Sequence, residues 1–258
     1  MNIVLLGSGN VATQLGRAFK MAGQTIVQVW SRDIEHAKEL ADAVASEAIT
    51  DIDDIDLSAD LYIISIKDNA IGELAAKLNM GDKLIVHTSG STSIHALDGV
   101  STHTGVFYPL QTFSKNKAVD FRSVPIAIEA NNPEDLAAIR AIADRLSERV
   151  TELSSPQRKA LHVAAVFACN FTNHLMSVSQ GLLEAEKLEF DLLRPLIAET
   201  LAKVQLYDPE TVQTGPAIRG DDEIISSHLK MLEKKPELQK LYKLLSQSIV
   251  NLHKHPRG

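Results

Sequence analysis

The 258 residues predict an α/β fold, in which a doubly wound parallel sheet is followed by an all-helical C-terminal domain. Up to about residue 153, short apolar runs alternate with stretches of helical spacing, which indicates a parallel sheet covered by helices on both faces. From Ser154-Ser155-Pro156 onward the spacing is helical and no strand pattern remains. We therefore predict two domains, residues 1–153 and residues 154–258.

Seven apolar runs predict the strands of the first domain, and four amphipathic stretches predict its helices. The strands are expected at residues 2–6, 25–30, 61–66, 83–88, 105–110, 124–130 and 149–153. The helices are expected at residues 11–23, 33–44, 71–78 and 133–148, with Asp33 as the N-cap of the second. The acidic segment 49–60 is expected to be a loop. In the second domain, helices are predicted at residues 157–188, 191–207 and 223–252, with a break in the last near Pro236.

Composition excludes several classes of function. A formal charge of −7 argues against nucleic acid or an anionic membrane as partner, because both need a basic protein surface. The single cysteine, Cys169, excludes a disulfide within the chain and a cysteine-rich metal site, so we expect no metal and a reducing, cytoplasmic location. No apolar run approaches the roughly 20 residues that span a bilayer, and the N-terminal run is too short for a signal peptide.

A glycine-rich turn directly after the first strand predicts a Rossmann-type dinucleotide site. Residues 7–12 read G-x-G-x-x-A and open the first helix. Gly7 permits the tight turn, Gly9 lets the backbone approach a pyrophosphate, and Ala12 lets helix and strand pack closely. The helix N-terminus then offers N–H groups to the phosphates. The residues predicted to bind the cofactor here are Gly7, Ser8, Gly9, Asn10 and Val11.

The end of the second strand favours NADP as the cofactor. NAD sites place an acid at this point, whereas this sequence has Ser31 and Arg32, which suit a 2′-phosphate. Asp33 keeps NAD open as an alternative, and Arg32 could also be an ordinary exposed residue.

Two later strand ends are expected to face the same cofactor, because ligands bind at the carboxyl edge of such sheets. They supply Ile66, Lys67 and Asp68 after one strand, and Thr88 and Ser89 after the next. Either group could instead cap a helix.

The long helix after Pro156 carries a polar stripe of Lys159, His162, Asn170 and Asn173. At about 100° per residue, His162 and Asn173 point within roughly 20° of each other. Such polar groups on an apolar helix either line a cavity or form hydrogen bonds between helices. On the first interpretation His162 is a general acid or base, and Asn170 and Asn173 orient the polarised group of a substrate.

The segment 213–222, QTGPAIRGDD, predicts a substrate-binding loop between two helices. Gly215 allows a close approach of backbone, and Arg219 is able to bind a carboxylate or phosphate through two hydrogen bonds. Asp221 is expected to orient Arg219 or to cap the next helix. The alternative is a plain connection between helices.

Taken with GSGNVA, the stretches VFYPLQTFS, ALHVAAVFACNFTNHL and TGPAIRGD resemble the 6-phosphogluconate dehydrogenase-like superfamily over nearly the whole chain. This superfamily includes pyrroline-5-carboxylate reductase, ketopantoate reductase and prephenate dehydrogenase. The chain is most similar to an uncharacterised branch, a Rossmann-like domain joined to a helical domain of unknown function. The resemblance implies an NADP-binding domain, an active cleft between the domains and a helical domain that often dimerises. It also implies that the TGPAIRGD loop can complete the active site of a partner subunit.

Two departures from the relatives concern the active site. Tyr108-Pro109-Leu110 is similar to the His-Pro-Met element of prephenate dehydrogenases, with tyrosine in place of histidine. We place Tyr108, Gln111 and Thr112 among the substrate-binding residues. The lysine–asparagine pair of hydroxyacid dehydrogenases is not reproduced, because Lys159 is followed four residues later by Val163.

The prediction for function is an NADP-dependent reductase of a small polar carbonyl or imine. The substrate is expected to lie in the cleft between the domains and to carry an anionic group, and the protein is expected to be a homodimer through the helical domain. The alternatives are an NADP-binding regulator or sensor without catalysis, and a scaffolding dimer with a relic nucleotide site.

Overall fold

The structure is a computed structural model that describes residues 1–254. The chain forms two compact units, the first comprising Met1–His174 and the second beginning at Leu175. The secondary structure changes earlier than this division, since the last strand ends at Glu152 and the next helix begins at Ser155.

An eight-stranded sheet forms the centre of the first unit. Its strands are β1 (Asn2–Leu6), β2 (Thr25–Trp30), β3 (Glu47–Ile49), β4 (Leu61–Ile64), β5 (Ile85–His87), β6 (Thr104–Pro109), β7 (Ile126–Ala130) and β8 (Val150–Glu152). They lie in the order β3-β2-β1-β4-β5-β6-β7-β8. The chain places β2 and β3 on one side of β1 and β4 to β8 on the other side, so the strand order changes direction between β1 and β4. The predicted doubly wound sheet with a helical C-terminal region is confirmed.

Two details of the sheet differ from the prediction. β3 was not predicted, because it is only three residues long and its first residue is exposed, so it shows no alternating pattern; it forms by parallel pairing with β2. β7 runs antiparallel to β6. A parallel pair needs a crossover, usually a helix, and the residues between β6 and β7 form only a short 3₁₀ turn at Phe121–Ser123.

The helices of the first unit cover both faces of the sheet. They are α1 (Asn10–Met21), α2 (Ile34–Val44), α3 (Asp68–Ala75), α4 (Pro133–Leu146) and α5 (Ser155–Ala165). Alternate residues of β1 enter different cores: Ile3 and Leu5 pack in the cluster that contains residues of α1, α2 and α4, and Val4 and Leu6 pack in the one that contains residues of α3. Fully burying such a side chain contributes about 1.5–3 kcal/mol, which is why β1 is an unbroken apolar run.

A π-helical segment interrupts the long helix predicted at residues 157–188. α5 is followed by the π segment Val166–Phe171 and then by α6 (Thr172–Ala185). A π turn contains one more residue than an α turn, so each later residue is rotated by roughly 100° from the position that an uninterrupted α-helix would give it.

The second unit contains the rest of α6 and the helices α7 (Arg194–Leu206), α8 (Pro216–Arg219), α9 (Asp222–Met231) and α10 (Pro236–Lys254). A hydrogen bond of 2.8 Å between His228 Nδ1 and Tyr242 Oη joins α9 to α10. Of its described residues only Ala217 and Leu232 are buried. Among residues 1–254, no helix is long and apolar enough to cross a membrane.

Candidate active site

Gly7 is required by the fold itself. It follows β1 with φ +132°, and a Cβ at this position would lie 2.1 Å from the backbone oxygen of Ser65. Its N–H donates to Trp30 O at 2.8 Å. Both the dihedral angle and the space therefore exclude a side chain, and the turn brings the chain across the carboxyl ends of β1, β2 and β4.

Gly9 is not required by the protein in this way. It is the N-cap of α1 with φ −78° and ψ −173°, which any residue adopts. A Cβ there would meet no described atom within 4 Å, and no side chain of the described residues caps this end of α1. Gly9 lines a pocket, and a glycine at this position leaves room for a ligand to approach backbone N–H groups at a helix N-terminus.

This pocket, which we call the cofactor pocket, has a volume of about 500 Å³ and lies at the carboxyl edge of the sheet. Eleven of the twelve predicted cofactor residues line it: Gly7, Ser8, Gly9, Asn10, Val11, Ser31, Arg32, Ile66, Lys67, Asp68 and Thr88. Trp30, His36, Ser65 and Lys115 also line it and were not predicted. A neighbouring recess of about 410 Å³ shares Trp30, Arg32, Ile66 and Lys67 and lengthens the groove.

Ser89, the twelfth predicted residue, does not line the cofactor pocket. It is buried, and its Oγ accepts hydrogen bonds from the N–H groups of Ser91 and Thr92 at 3.1 and 2.9 Å. These bonds shape the turn after β5, whereas the N-cap of the following 3₁₀ helix, Ile94–Leu97, is Ser93.

The charges around the cofactor pocket favour a phosphate-rich ligand. Arg32, Lys67 and Lys115 are on its lining together with a single carboxylate, Asp68, among the described residues. Asp33, which kept NAD open as an alternative, is instead the N-cap of α2, and its Oδ1 accepts from the N–H of Glu35 at 2.9 Å. The carboxylate of Asp33 is thus engaged at the start of α2 and is absent from the pocket lining.

Tyr108 and His162 form a hydrogen-bonded pair. Tyr108 Oη on β6 lies 3.0 Å from His162 Nδ1 on α5. A Cβ on Gly90 would lie 2.7 Å from His162 Nδ1 and 2.8 Å from Tyr108 Oη, so the backbone of Gly90 closes against the pair. Burial raises the pKa of Tyr108, and the negative charge of Asp68 raises it further. The positive charge of Arg158 lowers the pKa of Tyr108 in turn, and Asp68 also lines the cofactor pocket.

Arg158 anchors α5 to the sheet. The side chain is fully buried, donates to Ser89 O at 3.1 Å and forms an ion pair with Glu129 on β7. Glu129 also accepts from Ser155 N–H and Oγ at the start of α5. Arg158 was not predicted from the sequence, because an arginine between a glutamine and a lysine is typical of a solvated helix face. Its burial and its contacts in the structure show that it fixes α5 and, with it, His162 one turn later.

His87, at the end of β5, is buried in the same region. Burial, reinforced by the charge of Arg158, lowers its pKa from 6.5 to about 4. Its Nδ1 accepts from Ser89 N–H at 3.2 Å, and Nε2 lies 3.3 Å from Ser93 O, so the neutral ring carries its proton on Nε2.

A recess of about 690 Å³, which we call the substrate recess, lies beside the tyrosine–histidine pair. Its polar lining residues are Tyr108, Gln111, Thr112, His162 and Asn170, all of which were predicted; Cys169 also lines it. Asn173 and Lys159 are not among its lining residues. The alignment of Asn173 with His162 assumed an uninterrupted α-helix, and the π segment between them changes the direction of every later residue.

The predicted loop in the second unit forms a short helix between two glycines with positive φ. Gly215 has φ +113° before α8, and Gly220 has φ +70° after it. Arg219 donates to Asp221 Oδ2 from Nε at 2.9 Å and from Nη2 at 2.7 Å. Of the two roles considered for Asp221, the orientation of Arg219 is observed, and no capping hydrogen bond from its side chain is found in the described residues.

A glycine-rich phosphate site on a doubly wound sheet, followed by helices, defines a dinucleotide-binding protein. Residues 2–90 match the family model described as NADP oxidoreductase, coenzyme F420-dependent. Residues 124–249 match a domain of unknown function, DUF2520. The crystal structure of the putative NADP oxidoreductase BF3122 from Bacteroides fragilis is 49% identical, covers 97% of this chain and 98% of that one, and has a TM-score of 0.91. The chain belongs to this family of NADP oxidoreductases, and the predictions of an oxidoreductase with NADP as its cofactor are confirmed at that level.

More distant structures share the fold. Protein TM1727 from Thermotoga maritima is 22% identical with a TM-score of 0.72, covering 99% of this chain and 100% of that one. An imine reductase from Myxococcus stipitatus is 17% identical with a TM-score of 0.64, covering 100% of this chain and 96% of that one. No curated protein matches the chain.

Proposed function

We propose that the protein transfers hydride between NADPH and a small polar carbonyl or imine compound. Membership of the NADP oxidoreductase family supports the cofactor and the class of reaction. The imine is included because an imine reductase shares the fold, which is an analogy of fold only. The observation that carries the catalytic part is the hydrogen bond between Tyr108 and His162 on the wall of the substrate recess.

The residues of the cofactor pocket fit NADP. The open side of Gly9 and the N-terminus of α1 suit a pyrophosphate. Ser31 and Arg32 would hold the 2′-phosphate, because a hydroxyl and a guanidinium donate hydrogen bonds to phosphate oxygens. When it is bound, the nicotinamide supplies the hydride.

Tyr108 and His162 are proposed to supply the proton that accompanies the hydride. In its imidazolium form His162 would donate a ring proton to the substrate oxygen or nitrogen as the hydride arrives, which leaves the neutral imidazole. The Tyr108 hydroxyl, 3.0 Å from Nδ1, would accept from the imidazolium N–H and donate to the neutral ring, so it holds the imidazole in place, and the raised pKa of Tyr108 keeps its own proton on the phenol. Water would then return a proton to His162. Asn170 would donate a hydrogen bond to the polarised group.

The proposed substrate contacts are of two kinds. Gln111 and Thr112 offer neutral hydrogen-bonding groups in the substrate recess. Arg219, whose guanidinium is held by Asp221, is proposed to bind an anionic group of the substrate, and Gly215 belongs to the same loop. Replacing Arg219 with alanine should raise KM for an acidic substrate more than for its neutral ester.

We also propose that the protein is a homodimer through its helical part. α7, α9 and α10 contain no buried residue among those described, although large apolar side chains such as Leu192, Leu196 and Leu244 lie on this unit. Apolar helices that bury nothing in one chain need a second surface, and a second copy offers the same one. Sedimentation equilibrium should give the mass of two chains, and the mass of one chain would refute the proposal.

We propose that the family belongs to the 6-phosphogluconate dehydrogenase-like superfamily. We propose residues 1–153 as the NADP-binding domain and residues 154–258 as the substrate and dimerisation domain. The last four residues of this range lie outside the described residues. We also propose a reducing, cytoplasmic location, which suits a chain with a single cysteine.

The test replaces His162 with alanine and measures NADPH oxidation with a panel of cyclic imines and keto acids. His95, an exposed histidine paired with Asp98, provides the control variant His95→Ala. We expect His162→Ala to lower kcat at least about 100-fold while calorimetry shows unchanged NADPH affinity. The protein would be a sensor and not an enzyme on two results together. The wild type would bind NADPH but reduce no compound of the panel, and a ligand would shift the oligomeric state of the wild type and of His162→Ala equally. If the wild type does not bind NADPH, the proposed function fails.

A further inference from the structure

The segment 111–120, between β6 and the turn at Phe121–Ser123, is held along the helix that opens the cofactor pocket. Three side chains of α1 donate to its backbone: Asn10 Nδ2 to Phe113 O at 3.1 Å, Gln14 Nε2 to Ser114 O at 2.6 Å, and Arg17 Nη1 to Lys115 O at 2.8 Å. Residues spaced by four and then three positions lie on one helix face. The segment therefore has a defined place on α1 although it contains no helix or strand.

This anchoring brings the side chain of Lys115 to the cofactor pocket. Its ammonium lies 2.6 Å from Glu39 Oε2 on α2, and it lines the pocket together with Ser31, Arg32 and His36. Lys115, followed by His36 and then Arg17, lowers the pKa of Glu39. Lys115 and His36 thus approach the same carboxylate, on the side of the pocket where α2 begins.

We infer that Lys115 is a second specificity-determining residue for NADP, which binds the 2′-phosphate together with Arg32. This inference rests on the proposed function. It adds a residue 83 positions away in the sequence from Arg32 and carried by a different element.

The position of Lys115 favours the 2′-phosphate over the pyrophosphate. The pyrophosphate of such cofactors lies at the N-terminus of the first helix, whereas the adenosine ribose lies at the end of the second strand. Glu39, which holds Lys115, is on α2, the helix that follows directly from β2 and Arg32. An ion pair that is partly exposed to solvent, as this one is, contributes little, so a phosphate with two charges is able to draw the ammonium away from Glu39.

The experiment uses isothermal titration calorimetry of the full-length protein with NADPH and, separately, NADH. Lys115→Met removes the charge and keeps the length of the side chain, while the hydrogen bond of its backbone oxygen is retained. The matched control is Lys117→Met, an exposed lysine of the same segment that does not line the pocket. We expect Lys115→Met to raise the Kd of NADPH about tenfold, the factor for one charge-assisted hydrogen bond of ordinary strength. The Kd of NADH should change less than about twofold, and Lys117→Met should change neither.

Equal losses for NADPH and NADH, or no loss for NADPH, would overturn the inference. The same titration with adenosine 2′,5′-bisphosphate and with 5′-AMP isolates the phosphate: only the bisphosphate should bind Lys115→Met more weakly. Lys115→Arg, which keeps the charge, should retain the preference for NADPH. If the wild type binds NADPH and Lys115→Met binds it equally well, only this inference fails; if the wild type does not bind NADPH, the proposed function fails with it.

Discussion

Gly7 and Gly9 are two residues apart in one turn, and we predict opposite consequences for their replacement. Gly9→Val should leave the fold intact and strongly weaken NADPH binding. Gly7→Ala should destabilise the fold. The contrast would show that Gly7 is needed for folding and that Gly9 is needed for ligand binding.

The magnitudes come from the space around each Cβ. At Gly9 a Cβ meets no described atom within 4 Å and the backbone is extended, so we expect stability to change by less than about 1 kcal/mol. At Gly7 the Cβ would lie 2.1 Å from Ser65 O, and φ is +132°. Backbone strain costs about 1–3 kcal/mol and overpacking about 1–3 kcal/mol, so Gly7→Ala should lose about 2–6 kcal/mol.

Urea unfolding and calorimetric titration with NADPH measure both quantities on the same samples. Gly9→Val should weaken NADPH binding at least about 100-fold, because a branched side chain occupies the space of the pyrophosphate. Gly72→Ala is the control, since that glycine also has open space around it but does not line the cofactor pocket. Native NADPH affinity in Gly9→Val would refute the assignment of the pyrophosphate to this turn. Destabilisation equal to that of Gly7→Ala would show that Gly9 is structural.

Three further predictions concern the residues behind the site. Gly90→Ala should lower kcat about 100-fold with unchanged NADPH affinity, because its Cβ would stand 2.7 Å from the imidazole of the tyrosine–histidine pair; steady-state kinetics with calorimetry checks this, and unchanged kcat would contradict it. The pKa of His87 is lowered from 6.5 to about 4, so the unfolded state takes up its proton first and stability should fall by about 3 kcal/mol between those pH values. Urea unfolding of His87→Gln should lack that part of the acid sensitivity, and equal sensitivity would be evidence against it. Glu129→Ala should cost about 3–5 kcal/mol because it leaves the buried charge of Arg158 unpaired, whereas Glu148→Ala, which breaks an exposed pair, should cost less than about 1 kcal/mol.

The features that the sequence determined depend on neighbours along the chain. The turn at Gly7 and Gly9, the N-cap at Asp33 and the alternation of apolar runs with helical stretches each involve a few consecutive residues. Backbone geometry and hydrogen bonding decide such features locally. For this reason eleven predicted cofactor residues come together in one pocket.

The features that only the tertiary structure decided depend on residues that are far apart in sequence. Tyr108 meets His162 over 54 positions, and Arg158 reaches Ser89 over 69. Lys115 enters the cofactor pocket because side chains of α1 bind the backbone of its segment. No local pattern distinguishes Arg158 and Lys115 from solvated side chains, and the sequence predicted Tyr108 and His162 as site residues without pairing them. The π segment likewise changes which face Asn173 occupies without leaving a signature in the sequence. The positions of all these side chains follow from packing and long-range hydrogen bonds, which exist only once the sheet and its helices have assembled.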